Sequence, residues 1–279
     1  MSGREPEPLE RLVEAVLASP RYGRLCPDFV RRVGEKELAK RRRLKEALKA
    51  TKAKLHQVAG AYQELRPRYA LWLEQLRQAH QGGKREDFLA TCRQIMGHHA
   101  STRERLPILE QFYGTVLAAV TPLHTVLDVA CGLNPLALPW MLLAPPDAGE
   151  FGRTREYYAY DVDRDLMDFL GQFLALLGVG GEARVEDVTR FRPSQPADLA
   201  LVLKALPGLE RLEPGAARRL LAGLPARYLL VSFPVRSLGG QAKGMAAHYE
   251  AQFRKWLDPS QGVVQRWEFA TELAFLVSR

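Results

Sequence analysis

Apolar residues recur at helical spacing through the first third of the chain, then gather into short continuous runs. Leu9, Leu12, Val13, Val16 and Leu17 share one face of a helix predicted over 6–18, which Ser19-Pro20 ends. Pro27-Asp28 opens a second, mostly helical stretch over 28–64. After Pro67 comes a helix whose apolar side is Leu71, Trp72, Leu73 and Leu76, broken by Gln81-Gly82-Gly83. A further helix spans 84–99. Ser101 as N-cap with Glu104 three residues later forms a capping box for a helix over 102–120.

From 124 onward the pattern changes. Val126, Leu127 and Val129 suit a parallel strand covered on both faces. A small-residue turn follows, and Pro135 fits a first helical position. Further strands are predicted at 157–161, 183–188, 198–204 and 227–234, helices at 163–177 and 243–257, and a closing hairpin at 263–270 and 272–278. This alternation implies an α/β domain, residues 106–279, with a mostly parallel doubly wound sheet behind an all-helical domain, residues 1–105. Pro145 to Gly152 reads as a surface loop.

Composition adds less than the placement of charge. The 279 residues are 47% hydrophobic, enough for a sizeable core, with no apolar run of the ~18 residues that span a bilayer. Met1 to Pro6 has no apolar signal region. Cys26, Cys92 and Cys131 are far apart and fit reduced thiols in the cytoplasm. The net charge of +8 is uneven: residues 1–105 carry 23 Lys+Arg against 13 acids, the remainder 17 against 19. Arg31 through Lys54 alone hold 11 basic and 3 acidic residues. Within that run Arg41, Arg42, Arg43, Lys45, Lys49 and Lys52 would coat a helix surface that contacts phosphates.

The candidate chemistry lies at strand ends. The turn around Gly132, Asp161 after the second strand and Asp187 after the third line up at the carboxyl edge of the sheet, where open α/β sheets bind ligands. A loop, an acid for ribose hydroxyls and an acid for an adenine amino group suit an adenosine-containing ligand. The G-x-G-x-x-G and G-K-[ST] fingerprints of dinucleotide and P-loop sites are missing, so S-adenosylmethionine fits better than a dinucleotide. His98 and His99 point about 100° apart on a helix. With no third ligand they read as helix-surface residues rather than a metal site. Trp72, Trp140, Trp256 and Trp267 read as core.

These strings resemble a known family. Ser101-Thr102-Arg103-Glu104-Arg105-Leu106, Asp128 through Ala137 with its Cys-Gly-Leu-Asn-Pro-Leu-Ala, and Tyr160-Asp161-Val162-Asp163 are similar to bacterial 16S ribosomal RNA guanine-N7 methyltransferases that confer aminoglycoside resistance. Leu203 through Glu210, Val231 through Gly239, Lys243-Gly244-Met245 and Thr271-Glu272-Leu273 extend the likeness over nearly the whole chain. The generic D-x-G-x-G is broken, because Ala130 stands at its first glycine. The stretch between Trp140 and Tyr157 looks long for the family.

The resemblance implies a Rossmann-like, class I S-adenosylmethionine-dependent methyltransferase domain with a helical domain that docks on the 30S subunit. Its target would be N7 of guanine 1405, and its product S-adenosylhomocysteine. Carried over by position, Arg105 pairs with the cofactor carboxylate. Asp128, Ala130, Gly132 and Asn134 hold the methionine part, Asp161 the ribose, and Asp187 with Val188 the adenine. Lys204, Arg236 and Met245 face the reacting base, and Ser232 and Lys243 line the target pocket. Guanine N7 carries no proton, so positioning rather than a strong base carries the chemistry. A soluble monomer acting on assembled 30S particles is expected. Methyl transfer to an adenine N1, a small-molecule methyltransferase with a helical lid, and a non-enzymatic RNA-binding factor remain open alternatives.

Overall fold

The computed structural model describes residues 7–60, 66–120, 122–141, 156–190, 192–235 and 244–279. Prolines open the first two helices, α1 (Pro8–Leu17) and α2 (Pro27–Leu38), where a missing N–H costs nothing. The long helix expected over 28–64 is broken. After α2 the chain turns and starts again as α3 (Leu44–Leu55), which ends in a π turn at His56–Gly60. The turn lets α2 and α3 both pack on α1, burying Leu12, Val16, Phe29, Val30, Ala47 and Leu55 in one core. Buried Glu37 at the end of α2 takes the Arg41 guanidinium as the chain reverses. Arg41, Arg42 and Arg43 therefore lie in a turn, and Lys45, Lys49 and Lys52 on α3.

Four more helices precede the sheet: α4 (Tyr69–Gln81), α5 (Arg85–Met96), α6 (Ala100–Arg105) and α7 (Leu109–Ala119). On α4, Trp72, Leu73 and Leu76 are buried as expected, but Leu71 turns to solvent. The helix expected over 102–120 is split, because Pro107 cannot donate to the helical ladder and the chain passes through a single 3-10 turn at Leu106–Ile108. The expected capping box does not form. His99 is the N-cap of α6, Ser101 lies inside it, and Glu104 reaches across to Lys204 instead.

The α/β part runs β1 (Thr125–Val129), α8 (Leu138–Met141), β2 (Glu156–Asp161), α9 (Arg164–Leu176), β3 (Gly180–Val185), β4 (Ala197–Leu203), α10 (Leu206–Leu212), α11 (Ala216–Gly223), β5 (Ala226–Pro234), α12 (Met245–Trp256), β6 (Gly262–Glu268) and β7 (Glu272–Ser278). The sheet order is β3-β2-β1-β4-β5-β7-β6. β1 to β5 are parallel, and β7 runs antiparallel to both β5 and β6, the expected hairpin. β3 starts three residues earlier than expected, with Gly180-Gly181 inside the strand. Gly181 has φ +100° and its missing Cβ would lie 2.2 Å from the Tyr157 carbonyl oxygen, so this breaker residue is what the close strand pairing requires. Asp187 consequently lies two residues beyond the strand.

One face of the sheet packs under α4, α5, α7 and α9, through Trp72, Phe88, Phe112 and Phe173. The other packs under α10, α11 and α12, where Leu206, Leu220 and Phe253 meet Val202, Val231 and Phe275. The helices before the sheet therefore divide: α1 to α3 gather in a separate core that also takes in Leu212 of α10, while α4, α5 and α7 belong to the core of the sheet. All four tryptophans are buried or half-buried. Among the described residues no helix is long and apolar enough to cross a membrane. The predicted Pro145–Gly152 loop lies outside the described residues.

Candidate active site

Strand order reverses between β1 and β4, and a cleft opens at the carboxyl ends beside that point. Ala130 follows β1, Asp161 and Val162 come from the end of β2, Asp187 and Val188 from the loop after β3, and Leu203 and Lys204 from the end of β4. Phe29 of α2 and Val58 of the π turn line the same space, so the amino-terminal helices form part of its wall.

The turn after β1 has two left-handed residues, Ala130 at φ +54° and Gly132 at +52°. Ala130 thus adopts the conformation that the missing glycine of D-x-G-x-G would supply, at a cost of roughly 1–2 kcal/mol. The Gly132 N–H donates to Asp161 Oδ2 at 3.0 Å and the Val162 N–H to Oδ1 at 2.7 Å. Burial pushes the Asp161 carboxyl up to about 6. Behind the turn stands His99. A Cβ on Gly132 would lie 2.8 Å from both Cε1 and Nε2 of its imidazole. His99 is therefore no surface histidine. It is buried, its Nδ1 is 3.0 Å from Ser101 Oγ, and burial together with Arg105 and Lys204 lowers its pKa to about 4. Its neighbour His98 stacks on Trp72 with ring centroids 4.8 Å apart. Among the described residues no cluster is able to hold a metal ion.

Beneath the turn lies a buried polar layer. Asp128 Oδ2 accepts from Asn134 Nδ2 at 2.8 Å and from the Tyr157 hydroxyl at 2.6 Å, and burial raises its carboxyl to about 6. Asn134 Oδ1 accepts from the Tyr113 hydroxyl at 2.6 Å and from Arg105 Nη1 at 2.7 Å. The rest of the Arg105 guanidinium grips Glu272, Nη2 to Oε1 at 2.7 Å and Nε to Oε2 at 3.0 Å. Lys204 joins from the other side. Its left-handed backbone, φ +59°, sends Nζ to Glu104 Oε2 at 3.0 Å, Glu272 Oε2 at 3.2 Å and the Ser101 carbonyl at 3.2 Å. Non-glycine residues held in this conformation collect at functional sites.

Of the residues singled out from the sequence, Ala130, Asp161, Asp187, Val188 and Lys204 line one cleft, and Gly132 backs it. Asp128, Asn134 and Arg105 form the layer below, with Arg105 engaged by Glu272. Ser232 is buried on β5, and Met245, half-buried, opens α12 outside the lining. Arg236 and Lys243 lie outside the described residues. Sequence reasoning passed over Glu104 and Glu272 as functional residues, although both stand inside strings that carried the resemblance. It gave no signal for Phe29 or Val58.

A doubly wound sheet closed by an antiparallel hairpin, with a small-residue turn after β1 and acids after β2 and β3 around one cleft, defines a Rossmann-like S-adenosylmethionine-dependent methyltransferase. The cleft fits that cofactor. Asp161 stands at its β2 edge, and apolar Val162, Val188, Leu203 and Leu209 offer flat walls to a purine. Residues 18–276 match the family model of the ribosomal RNA methyltransferase (FmrO), and the chain belongs to that family. The 16S rRNA (guanine(1405)-N(7))-methyltransferase of Frankia casuarinae is 40% identical, covering 99% of this chain and 96% of that one. The enzyme of the same name from Serratia marcescens is 35% identical over 95% and 96%. Among solved structures, the 16S rRNA methyltransferase RmtF in complex with S-adenosyl-L-homocysteine matches with a TM-score of 0.81 at 32% identity, over 99% of this chain and all of that one. The 16S rRNA methylase RmtB matches at 0.76 and 29% over the same shares.

Proposed function

We propose that this protein transfers a methyl group from S-adenosylmethionine to N7 of guanine 1405 of 16S rRNA. The full-length identity to enzymes of that name carries this reading. When bound, the cofactor supplies an electrophilic sulfonium methyl. Asp161 holds the ribose hydroxyls, Asp187 and Val188 the adenine, and the Ala130–Gly132 turn the methionine end. Arg105 acts from the layer below, fixing Asn134 and through it the turn. Lys204 stands where the cleft meets the target side, with Ser232, Met245, Arg236 and Lys243 as further contacts to the base and its surroundings. Guanine N7 attacks with its own lone pair, so no residue has to remove a proton. The side chains orient the partners and keep water out. The methylated base gains a positive charge and loses its N7 acceptor, both of which oppose a polycationic aminoglycoside. The protein acts as a cytoplasmic monomer on assembled 30S subunits.

Incubation of 30S subunits with radiolabelled cofactor, followed by mapping of the modified base, tests this. Label at guanine 1405 is the expected result. No label in 16S rRNA, or a reverse-transcription stop at an adenine, overturns it.

Two further outcomes are expected. Hydroxyl groups donate to an ionised carboxylate, so the acid whose carboxyl titrates at about 6 has to be deprotonated to hold ribose. Cofactor affinity is expected to be flat above pH 7 and to fall toward tenfold per pH unit below 6, as read by calorimetry between pH 5 and 8. Affinity that rises on acidification would remove Asp161 from this role. The exposed Arg42 in the α2–α3 turn and Lys45 on α3 project from the basic face. Reversing both charges is expected to weaken 30S association by an order of magnitude or more, to flatten its salt dependence, and to leave cofactor affinity within twofold.

A further inference from the structure

Arg32 stands in the middle of the basic run, yet it does not face outward. It is 8% exposed, and its guanidinium reaches from the amino-terminal helices to Asp187, a lining residue of the cleft. Nε donates to Asp187 Oδ2 at 2.6 Å and Nη1 to Glu213 Oε2 at 2.7 Å. Glu213, just past α10, is held in turn by Lys36 at 2.6 Å and Arg219 at 2.7 Å. The same α2 helix sends Phe29 into the cleft lining.

Asp187 is thereby oriented from two sides. Its Oδ1 accepts from the Thr189 N–H at 3.1 Å and the Thr189 hydroxyl at 2.7 Å, while Arg32 takes Oδ2. A carboxylate offers about four acceptor sites. Among the described residues three of these are used, and the carboxylate lines the cleft with one left.

We propose that Arg32 is a positioning residue for cofactor recognition: it fixes the rotamer of Asp187 so that the remaining acceptor site reads the exocyclic amino group of the adenine. One side chain of the helical module then belongs to the adenosine end of the methyltransferase cleft. The inference rests on the reading of Asp187 as the adenine acid. It gives that acid a partner some 155 residues away that the sequence pattern did not connect to it.

The test compares binding of S-adenosylhomocysteine with that of S-inosylhomocysteine, which carries an oxygen in place of the amino group. The full chain is expected to prefer the adenosyl ligand by tenfold or more. Asp187→Asn is expected to lose most of that preference, and Arg32→Gln to lose it to a similar degree, with the double variant adding little. Arg32→Lys, whose point charge serves one carboxylate rather than two, is expected to keep an intermediate preference. Circular dichroism melting of each variant verifies the fold. Should Arg32→Gln melt below the assay temperature, Arg32→Lys and Glu213→Gln carry the comparison. A full preference in Arg32→Gln alongside a lost one in Asp187→Asn overturns the proposal, leaving Arg32 a strut between α2 and the sheet. A parent protein with no preference, or an Asp187→Asn variant that keeps it, overturns the adenine reading itself, and this inference with it.

Discussion

Replacing Glu272 by Gln is expected to destabilise the fold by about 3–5 kcal/mol and lower the melting temperature by on the order of 10 °C. Glu272 opens β7 with no solvent exposure, and it is the carboxylate that Arg105 and Lys204 share. Burial alone would oppose its ionisation, but those two cations outweigh burial and hold its carboxyl below the usual glutamate value. A depressed carboxyl pKa stabilises the fold above the unfolded value of ~4.3 and loses that contribution as acid protonates the folded group. The parent is therefore expected to lose this contribution progressively as pH falls below about 4.3, and the variant to lack it at every pH. The substitution leaves two buried cations facing a neutral amide. Lys204 keeps Glu104, which is partly exposed, whereas Arg105 keeps Asn134, the face of the Phe112 ring and the new amide oxygen. Lys204→Met is expected to cost less on its own, because Glu272 then retains Arg105. Combined with Glu272→Gln it should cost less than the sum, with a coupling of roughly 0.5–3 kcal/mol measured by chemical denaturation. Strict additivity would mean that the two charges do not act as a unit.

The legible parts of this molecule were those set by local pattern. The run 125–129, the acid at 161 and the hairpin at the end could be placed because a strand's apolar residues and its polar end are adjacent in sequence. That the Gly132 turn and Asp161 share one sheet edge followed from topology, since parallel neighbours β1 and β2 bring their carboxyl ends together; the hydrogen bond between them did not. The ion cluster was not legible in the same way. Arg105 and Glu272 are 167 residues apart, and Lys204 and Glu104 are 100. No periodicity ties such positions, and although the resemblance singled out Arg105 and Lys204, nothing in the pattern joins them to Glu104 or Glu272. His99 was misplaced for a related reason. Treating 98 and 99 as one helix surface tests for a metal but not for a break, and α5 ends at Met96, so His99 is a cap tucked under the β1 turn. The basic run was right in charge and wrong in shape, because the periodicity of 28–64 does not register that both halves must pack on α1.

The second large effect is expected at Gly132, where an alanine should weaken cofactor binding by about a hundredfold, as read by titration calorimetry. Two costs coincide there. The left-handed backbone at φ +52° penalises a side chain by roughly 1–2 kcal/mol, and the added methyl would overlap the His99 ring, an overpacking cost of about 1–3 kcal/mol. His99 has little room to withdraw: it is buried beside the Arg105 and Lys204 cations and contacts Ser101. The loop has to move instead, and its movement takes the Gly132 N–H away from Asp161, undoing the hold on the ribose acid. Pairing Gly132→Ala with His99→Ala is therefore expected to recover part of the affinity, the steric share, and not the backbone share. Ala130 gives the opposite case. It already bears a Cβ in the same conformation and lines the cleft without a clash of this kind, so Ala130→Gly should leave binding within about twofold. If Gly132→Ala binds as tightly as the parent, the turn after β1 does not hold the cofactor through its backbone, and the contact between Gly132 and Asp161 serves only to tie β1 to β2.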